Sequence, residues 1–502
     1  MRPCAFLGWA PQPDNGLRMD LIERRLAEPA CRKAPVGLPW IQVAQGAPYF
    51  VDETGADFTP IGQNDAISWV ELEGLFRRRD LAAVERHLVW LRDHGVTVLR
   101  LMMEYAQVRT RYFERPAGRF NPTLVQLWDD LFAMCERVGL RILLTPFDTF
   151  WTWLHWRHHP YNAANGGPLD HPSRLLLCGA TRELIKARLR FAAARWGGSG
   201  ALFAWDLWNE IHPAQAQDSA DNFNDFIADL SAAVREEELR RFGRSHPQTV
   251  SLFGPELTLK PHLDLAGPIY RHPDLDFANL HIYATGTIDD PKNTVAPPVA
   301  MGRIIRGALT EIQDSRPFFD SEHGPIHTFK DRKRTLPEPF DDEYFRHLQW
   351  AHLASGGAGG GMRWPNRHPH VLTPGMRRAQ ASLSRFTPLI DWSRFRRRNL
   401  NQEIVTTHTG LETFGCGDDR QALVWLLRRG PLADGQLDAH APPIQTMVRV
   451  PGLAARAYEV TAWNTAEGRT EGSWRLEAGR GALMIPTPPF VADLALAVRP
   501  AA

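Results

Sequence analysis

Between residues 58 and 390 short apolar runs alternate with longer amphipathic stretches. The runs are FTPIGQN (58–64), VTVLRLMM (96–103), RILLTPF (141–147), LFAWDLW (202–208), TVSLFG (249–254), FANLHIY (277–283), PFFDSEH (317–323) and GGGMRW (359–364). Each is short enough for a strand, and most are followed by apolar positions at three- and four-residue spacing, the period of a helix with one buried face. In NPTLVQLWDDLFAMCERVG, Asn121 is placed as N-cap, Pro122 as first helical residue and Gly139 as C-terminal stop, with Leu124, Leu127, Leu131, Met134 and Val138 on the inner face. DLAAVERHLVWLRDHG repeats the design, with Asp80 as cap, Leu81, Val84, Leu88 and Leu91 inside, and Gly95 as stop. Eight strand–helix units at about forty-residue spacing predict an α/β fold, a (β/α)8 TIM barrel over 46–395. A doubly wound sheet is the alternative, but no GxGxxG or P-loop follows the first strand.

Past 395 the helical period ends. EIVTTHTGLETF, QALVWLLRR, YEVTAWN, GALMIPT and VADLALAV are split by Gly, Asp and Pro turns, which predicts a small C-terminal antiparallel β-sandwich over 396–502. Residues 1–45 form a Pro-rich, weakly patterned N-terminal extension, and IQVAQGAPYFVDETG is expected to make a hairpin closing the bottom of the barrel. A length of 502 residues suits a barrel plus a smaller unit. The 43% hydrophobic and 23% charged fractions exclude a disordered or low-complexity chain. No run reaches the ~18 apolar residues of a membrane span, and a formal charge of +1 gives no field to gather nucleic acid. The five cysteines are scattered, without metal or CxxC spacing, and the N-terminus lacks the apolar core of a secretion signal, so a reducing, cytoplasmic location is expected. Oligomeric state leaves no mark on the pattern.

In such a barrel, catalytic side chains come from the C-terminal ends of the strands. Those ends carry Arg100 on the second strand, Asp148 after the third, Trp208-Asn209-Glu210 on the fourth, His281 and Tyr283 on the sixth, Asp320-Ser321-Glu322-His323 on the seventh and Trp364 on the eighth. Two carboxylates at one end, Glu210 and Glu322, are what glycosidic bond cleavage needs: one protonates the leaving oxygen, the other attacks or activates water. A lone Glu at a strand end is more often an ion-pair partner, but the pair with Asn209, Arg100 and Tyr283 favours chemistry. The stretch after the third strand adds Phe147, Phe150, Trp151, Trp153, Trp156 and Tyr161, flat faces suited to stacking on sugar rings or to plugging the loop onto the barrel. Histidines cluster at 155, 158 and 159, at 323 and 327, and at 368 and 370, without an HExxH frame, so no metal or cofactor is expected. The glycine run 356–361 lacks the Lys-Ser/Thr of a phosphate loop and reads as close backbone packing into the eighth strand.

FAWDLWNE, followed 112 residues later by FFDSEHG with LHIY between, resembles clan A of the retaining glycoside hydrolases, most of all family 5. YFVDETGADFTPIGQN resembles that family's approach to its first strand, and YEVTAWNTAEGR the sandwich that accompanies several clan members. The resemblance implies Glu210 as acid/base and Glu322 as nucleophile. It further implies that Asn209 binds the 2-hydroxyl, that Arg100 and Tyr283 contact the nucleophile, and that His281 and Trp364 line the subsite of the attacked sugar. Asp148, Trp151 and Trp153 complete the expected substrate-binding set. The chain departs from the family where Ile211, not Pro, follows Glu210, and where Asp148 rather than a His ends the third strand. The expected activity is retaining hydrolysis of β-linked oligo- or polysaccharides of glucan or mannan type, with carboxyl groups about 5–5.5 Å apart. A transglycosylase would use the same residues. A non-catalytic carbohydrate-binding barrel and a His-based metallohydrolase are the readings from other classes.

Overall fold

The computed structural model describes residues 37–104, 112–326, 335–479 and 481–501. Residues 1–36 of the N-terminal extension, and His327, lie outside the described residues. Leu38–Ala502 form one compact unit.

All eight predicted strands are present, parallel and joined in a ring: β1 (Gly62–Asp65), β2 (Val98–Met102), β3 (Arg141–Thr145), β4 (Leu202–Asp206), β5 (Gln248–Thr249 and Ser251–Phe253), β6 (Ala278–Ile282), β7 (Phe318–His323) and β8 (Met362–Arg363). Val250 splits β5, whose first half pairs with β4 and second half with β6; β8 closes the ring on β1 through Met362↔Gly62 and Arg363↔Gln63. Besides the short helices Thr149–Leu154 and Glu256–Leu259, the described α-helices are α1 (Leu81–Asp93), α2 (Pro122–Val138), α3 (Gly179–Trp196), α4 (Phe223–Phe242), α5 (Ala266–Tyr270), α6 (Ala296–Glu311), α7 (Glu338–Ala354) and α8 (Pro374–Phe386). None of the described helices is long and apolar enough to cross a membrane.

Local chemistry explains the boundaries. Asn121 Oδ1 accepts from Thr123 N, and Gly139 takes φ 92 at the end of α2, a left-handed geometry natural to glycine. Asp80 caps α1 by accepting from Ala83 N. The glycine run leading into β8 is packing: a Cβ on Gly357 would meet the His352 ring at 2.3 Å, and one on Gly359, at φ +108, would meet Pro60 O at 2.2 Å.

Ile41–Val43, Phe50–Asp52 and Asp57–Phe58 form an antiparallel sheet at the N-terminal end of the barrel, where Phe50 meets Phe203 and Phe277 edge to face. After α8 come a six-stranded antiparallel sheet, in the order Arg398–Asn399, Leu411–Gly417, Ala422–Arg428, Asp493–Pro500, Ala457–Asn464, Arg469–Glu477, and a three-stranded one of Val405–Thr406, Met447–Pro451 and Ala482–Pro486. Ala422–Arg428 is buried on both faces. Ala422, Val424 and Leu426 belong to the core between the two sheets, whereas Leu423, Trp425 and Leu427 join the barrel core. Strand alternation thus seats the sandwich on the barrel.

Candidate active site

Arg100, on β2, is fully buried at the centre of the site and its charge is shared outward. Nε and Nη2 donate to Asp206 Oδ2 at 3.2 and 2.7 Å, Nη1 to Asn64 Oδ1 at 2.8 Å and to Glu322 Oε2 at 3.0 Å, and Nη2 to Asn209 Oδ1 at 2.5 Å. One guanidinium therefore ties together β1, β2, β4 and the end of β7. Burial works against its charge, but Asp206, Glu322 and Glu210 more than offset that and raise its pKa.

Glu322 has both oxygens held: Oε2 by Arg100 and Oε1 by the Tyr283 hydroxyl at 2.8 Å. Burial raises its pKa and the Glu210 charge adds to the rise, while His281, Arg100 and the Tyr283 hydroxyl oppose it; the net direction is upward. Glu210 follows β4 at φ 52, a left-handed conformation that costs a non-glycine residue roughly 1–2 kcal/mol and is held here by its N–H donating to Ser251 Oγ at 3.1 Å. Burial pushes its carboxyl up to about 7; Asp206 and Glu256 add to the rise and Arg100 opposes it. The two glutamates thus sit in different surroundings, one held by a guanidinium and a phenol, the other against an imidazole with its carboxyl at about 7.

His281 lies between them, Nδ1 at 2.7 Å from Glu210 Oε1 and 3.7 Å from Glu322 Oε2, with Nε2 at 3.1 Å from Ser321 Oγ. Burial lowers its pKa to about 4, so the ring is neutral. A neutral imidazole backed by a hydroxyl can donate to Glu210 as carboxylate or, in the other tautomer, accept from Glu210 as acid, because Ser321 Oγ can take either role.

Asn209 is fixed at both ends, its Oδ1 on Arg100 and its Nδ2 donating to Asp148 Oδ1. The other Asp148 oxygen accepts from Trp151 N, capping the short helix Thr149–Leu154. Trp364 and Trp151 pack with Trp69, Ala66 and Met102 in an aromatic cluster, Trp69 meeting Trp364 edge to face at 5.4 Å. Trp153, 40% exposed, stands apart from this group with its edge to His171. Phe147 is buried against Trp208, and Tyr161 is buried with its hydroxyl donating to Glu114 at 3.0 Å, so both serve as the plug.

Sequence reasoning passed over Asp206, Asn64, Ser251 and Trp69, and it named Ser321 at its strand end without a role. Asp206 had a legible signal: an acid inside the apolar run LFAWDLW needs a buried counterion, and Arg100 is one. Trp69, on the loop after β1, carried none.

Among the described residues, two groups bring three ligand atoms within 4.8 Å of one another: Glu210, His281 and Glu322, and Asp65, Glu71 and His87. Each already has a guanidinium at hand, Arg100 at 3.0 Å from Glu322 and Arg377 at 3.7 Å from Glu71, supplying the charge a cation would bring.

No protein-family model and no curated protein matches the sequence. Solved structures do match. One is described as a glycoside hydrolase, 12% identical, covering 92% of this chain and 98% of its own with a TM-score of 0.58. Another is a glycoside hydrolase family 5 structure from Bacteroides vulgatus, also 12% identical, covering 93% of this chain and 95% of its own with a TM-score of 0.57. The fold is that of a family 5 glycoside hydrolase structure. The match runs through barrel and C-terminal sheets alike.

Proposed function

We propose that the protein is a retaining glycoside hydrolase acting on β-linked oligo- or polysaccharides by double displacement. The observation that carries this reading is the pairing of Glu210 and Glu322 in unlike surroundings, with one carboxylate oxygen of each within 4.8 Å of the other. That proximity suits the separation of about 5–5.5 Å between retaining carboxyl groups rather than the ~6.5–9.5 Å that leaves room for water.

In the first step a Glu322 oxygen bonds to the anomeric carbon, the glycosidic C–O bond breaks, and its electrons go to the leaving oxygen, which takes the proton of Glu210. In the second, Glu210, now a carboxylate, takes a proton from water as the water oxygen bonds to the anomeric carbon and the Glu322 ester bond breaks. Arg100 and Tyr283 hold the Glu322 carboxylate before attack and after release. His281 accommodates both protonation states of Glu210.

The test is reducing-end release by wild type and Glu322→Gln across β-linked gluco-, manno-, xylo- and galacto-oligosaccharides. Activity on one series that collapses in the variant is expected, with gluco and manno series tried first. Silence across the panel would overturn the reading.

A further inference from the structure

Asn209 occupies the position expected to meet the sugar 2-hydroxyl, yet a side-chain amide can present either its oxygen or its nitrogen. Two neighbours decide which. Arg100 has only donors, so the atom at its Nη2 must be the amide oxygen. Asp148 Oδ1, an acceptor, faces the other end and takes one Nδ2 hydrogen. The second Nδ2 hydrogen has no partner among the described residues and is the group left to donate. Asp148 is itself held in place: it is buried, its second oxygen accepts from Trp151 N, and the backbone on either side of it is bonded to Asn209, with Asn209 N donating to Phe147 O at 2.9 Å and Thr149 N donating to Asn209 O at 3.1 Å.

We propose that Asp148 is a positioning residue, which fixes the Asn209 amide plane so that its nitrogen donates to the 2-hydroxyl of the attacked sugar. Arg100 alone gives the amide one anchor about which it can pivot, and Asp148 supplies the second. Both Asp148 oxygens are engaged within the protein, so its contribution runs through Asn209 instead of through a sugar contact of its own. The inference rests on the glycosidase reading.

Two variants separate this role from helix capping. Asp148→Ser keeps a good N-cap for Thr149–Leu154 but is too short to reach Asn209. Asp148→Asn keeps the shape, yet its NH2 group cannot accept, so one of the two bonds must be lost. The substrates are the 2,4-dinitrophenyl β-glycoside of the sugar that the oligosaccharide panel identifies and its 2-deoxy counterpart. Both variants are expected to lower kcat/KM for the 2-hydroxy substrate by about tenfold while sparing the 2-deoxy one, so that the ratio between substrates shrinks. Equal losses on both substrates, or none on either, would overturn the proposal while leaving the glycosidase reading in place. Wild-type protein that turns over neither compound would overturn both. Thermal unfolding of Asp148→Ser near the wild-type temperature is the accompanying check that the fold is kept.

Discussion

Glu210 and Glu322 differ in what surrounds them, and the difference has a sign. Under the proposed function Glu210 delivers a proton, and burial places its carboxyl at about 7, so kcat/KM is expected to hold below that pH and to fall as pH rises through it and the acid form is lost. Asp206 helps to keep that proton in place. Asp206→Asn removes its charge and leaves Arg100 less neutralised, and both effects favour the Glu210 carboxylate. The alkaline limb should therefore move to lower pH, on the order of one unit, in a pH–rate profile. A limb that stays put or moves upward would show that Asp206 does not act on Glu210. Glu210→Gln is expected to lower kcat on an oligosaccharide by roughly 10²–10⁴-fold, and much less on a dinitrophenyl glycoside, whose leaving group needs no proton. At this scale the sequence was informative where residue type and strand end coincided: Arg100, Asn209, Glu210, His281, Tyr283 and Glu322 all meet in one network. It was silent on Trp69, and it placed Asp148 among the substrate-binding residues without its bond to Asn209, because which neighbour a side chain meets across the barrel depends on register and shear, which no local pattern records.

The strand–helix units were legible because one face of each is buried and their ends carry cap chemistry. Asn121 and Asp80 take the capping roles their positions announce, and Asn121→Ala is expected to cost about 1 kcal/mol in thermal or denaturant unfolding. The run into β8 is less forgiving. Gly359→Ala would place a methyl group against Pro60 O and force a left-handed backbone on an alanine, with an expected loss of about 2–4 kcal/mol. An unfolding midpoint equal to wild type would mean that the β1 and β8 ends shift easily. In the sandwich, Met447–Pro451 and Arg469–Glu477 went unseen for different reasons. The first is short and ends in proline; the second, RTEGSWRLE, lies at the sheet edge with no fully buried position, and only its last residues alternate, with Trp474 and Leu476 facing the core, which is too short a run to announce a nine-residue strand.

At the scale of the whole molecule, the sandwich shares its core with the barrel. Leu423, Trp425 and Leu427 project from one side of their strand into the same cluster as Trp350, Ala351, Leu353 and Ala354 of α7, and Phe414 lies so close to α6 that a Cβ on Gly302 would meet it at 2.7 Å. Polar contacts close the seam: Asp493 accepts from Trp425 Nε1 at 2.9 Å and pairs with Arg346 of α7 at 3.0 Å. α7 in turn follows β7, the strand that carries Glu322, so the sandwich buttresses the helix that follows Glu322 in the chain. A chain ending at residue 395 would expose Trp350, Ala351, Leu353 and Ala354 of α7 and remove the Asp493 partner of Arg346, and it is expected to aggregate rather than fold as a free barrel. The milder test is Trp425→Ala, which deletes a fully buried indole. It should cost about 3–5 kcal/mol, and the variant should still unfold in one calorimetric transition, because barrel and sandwich melt together. Two separated transitions in the variant, with glycosidase activity surviving the first, would show instead that the barrel holds its site without the sheet behind it.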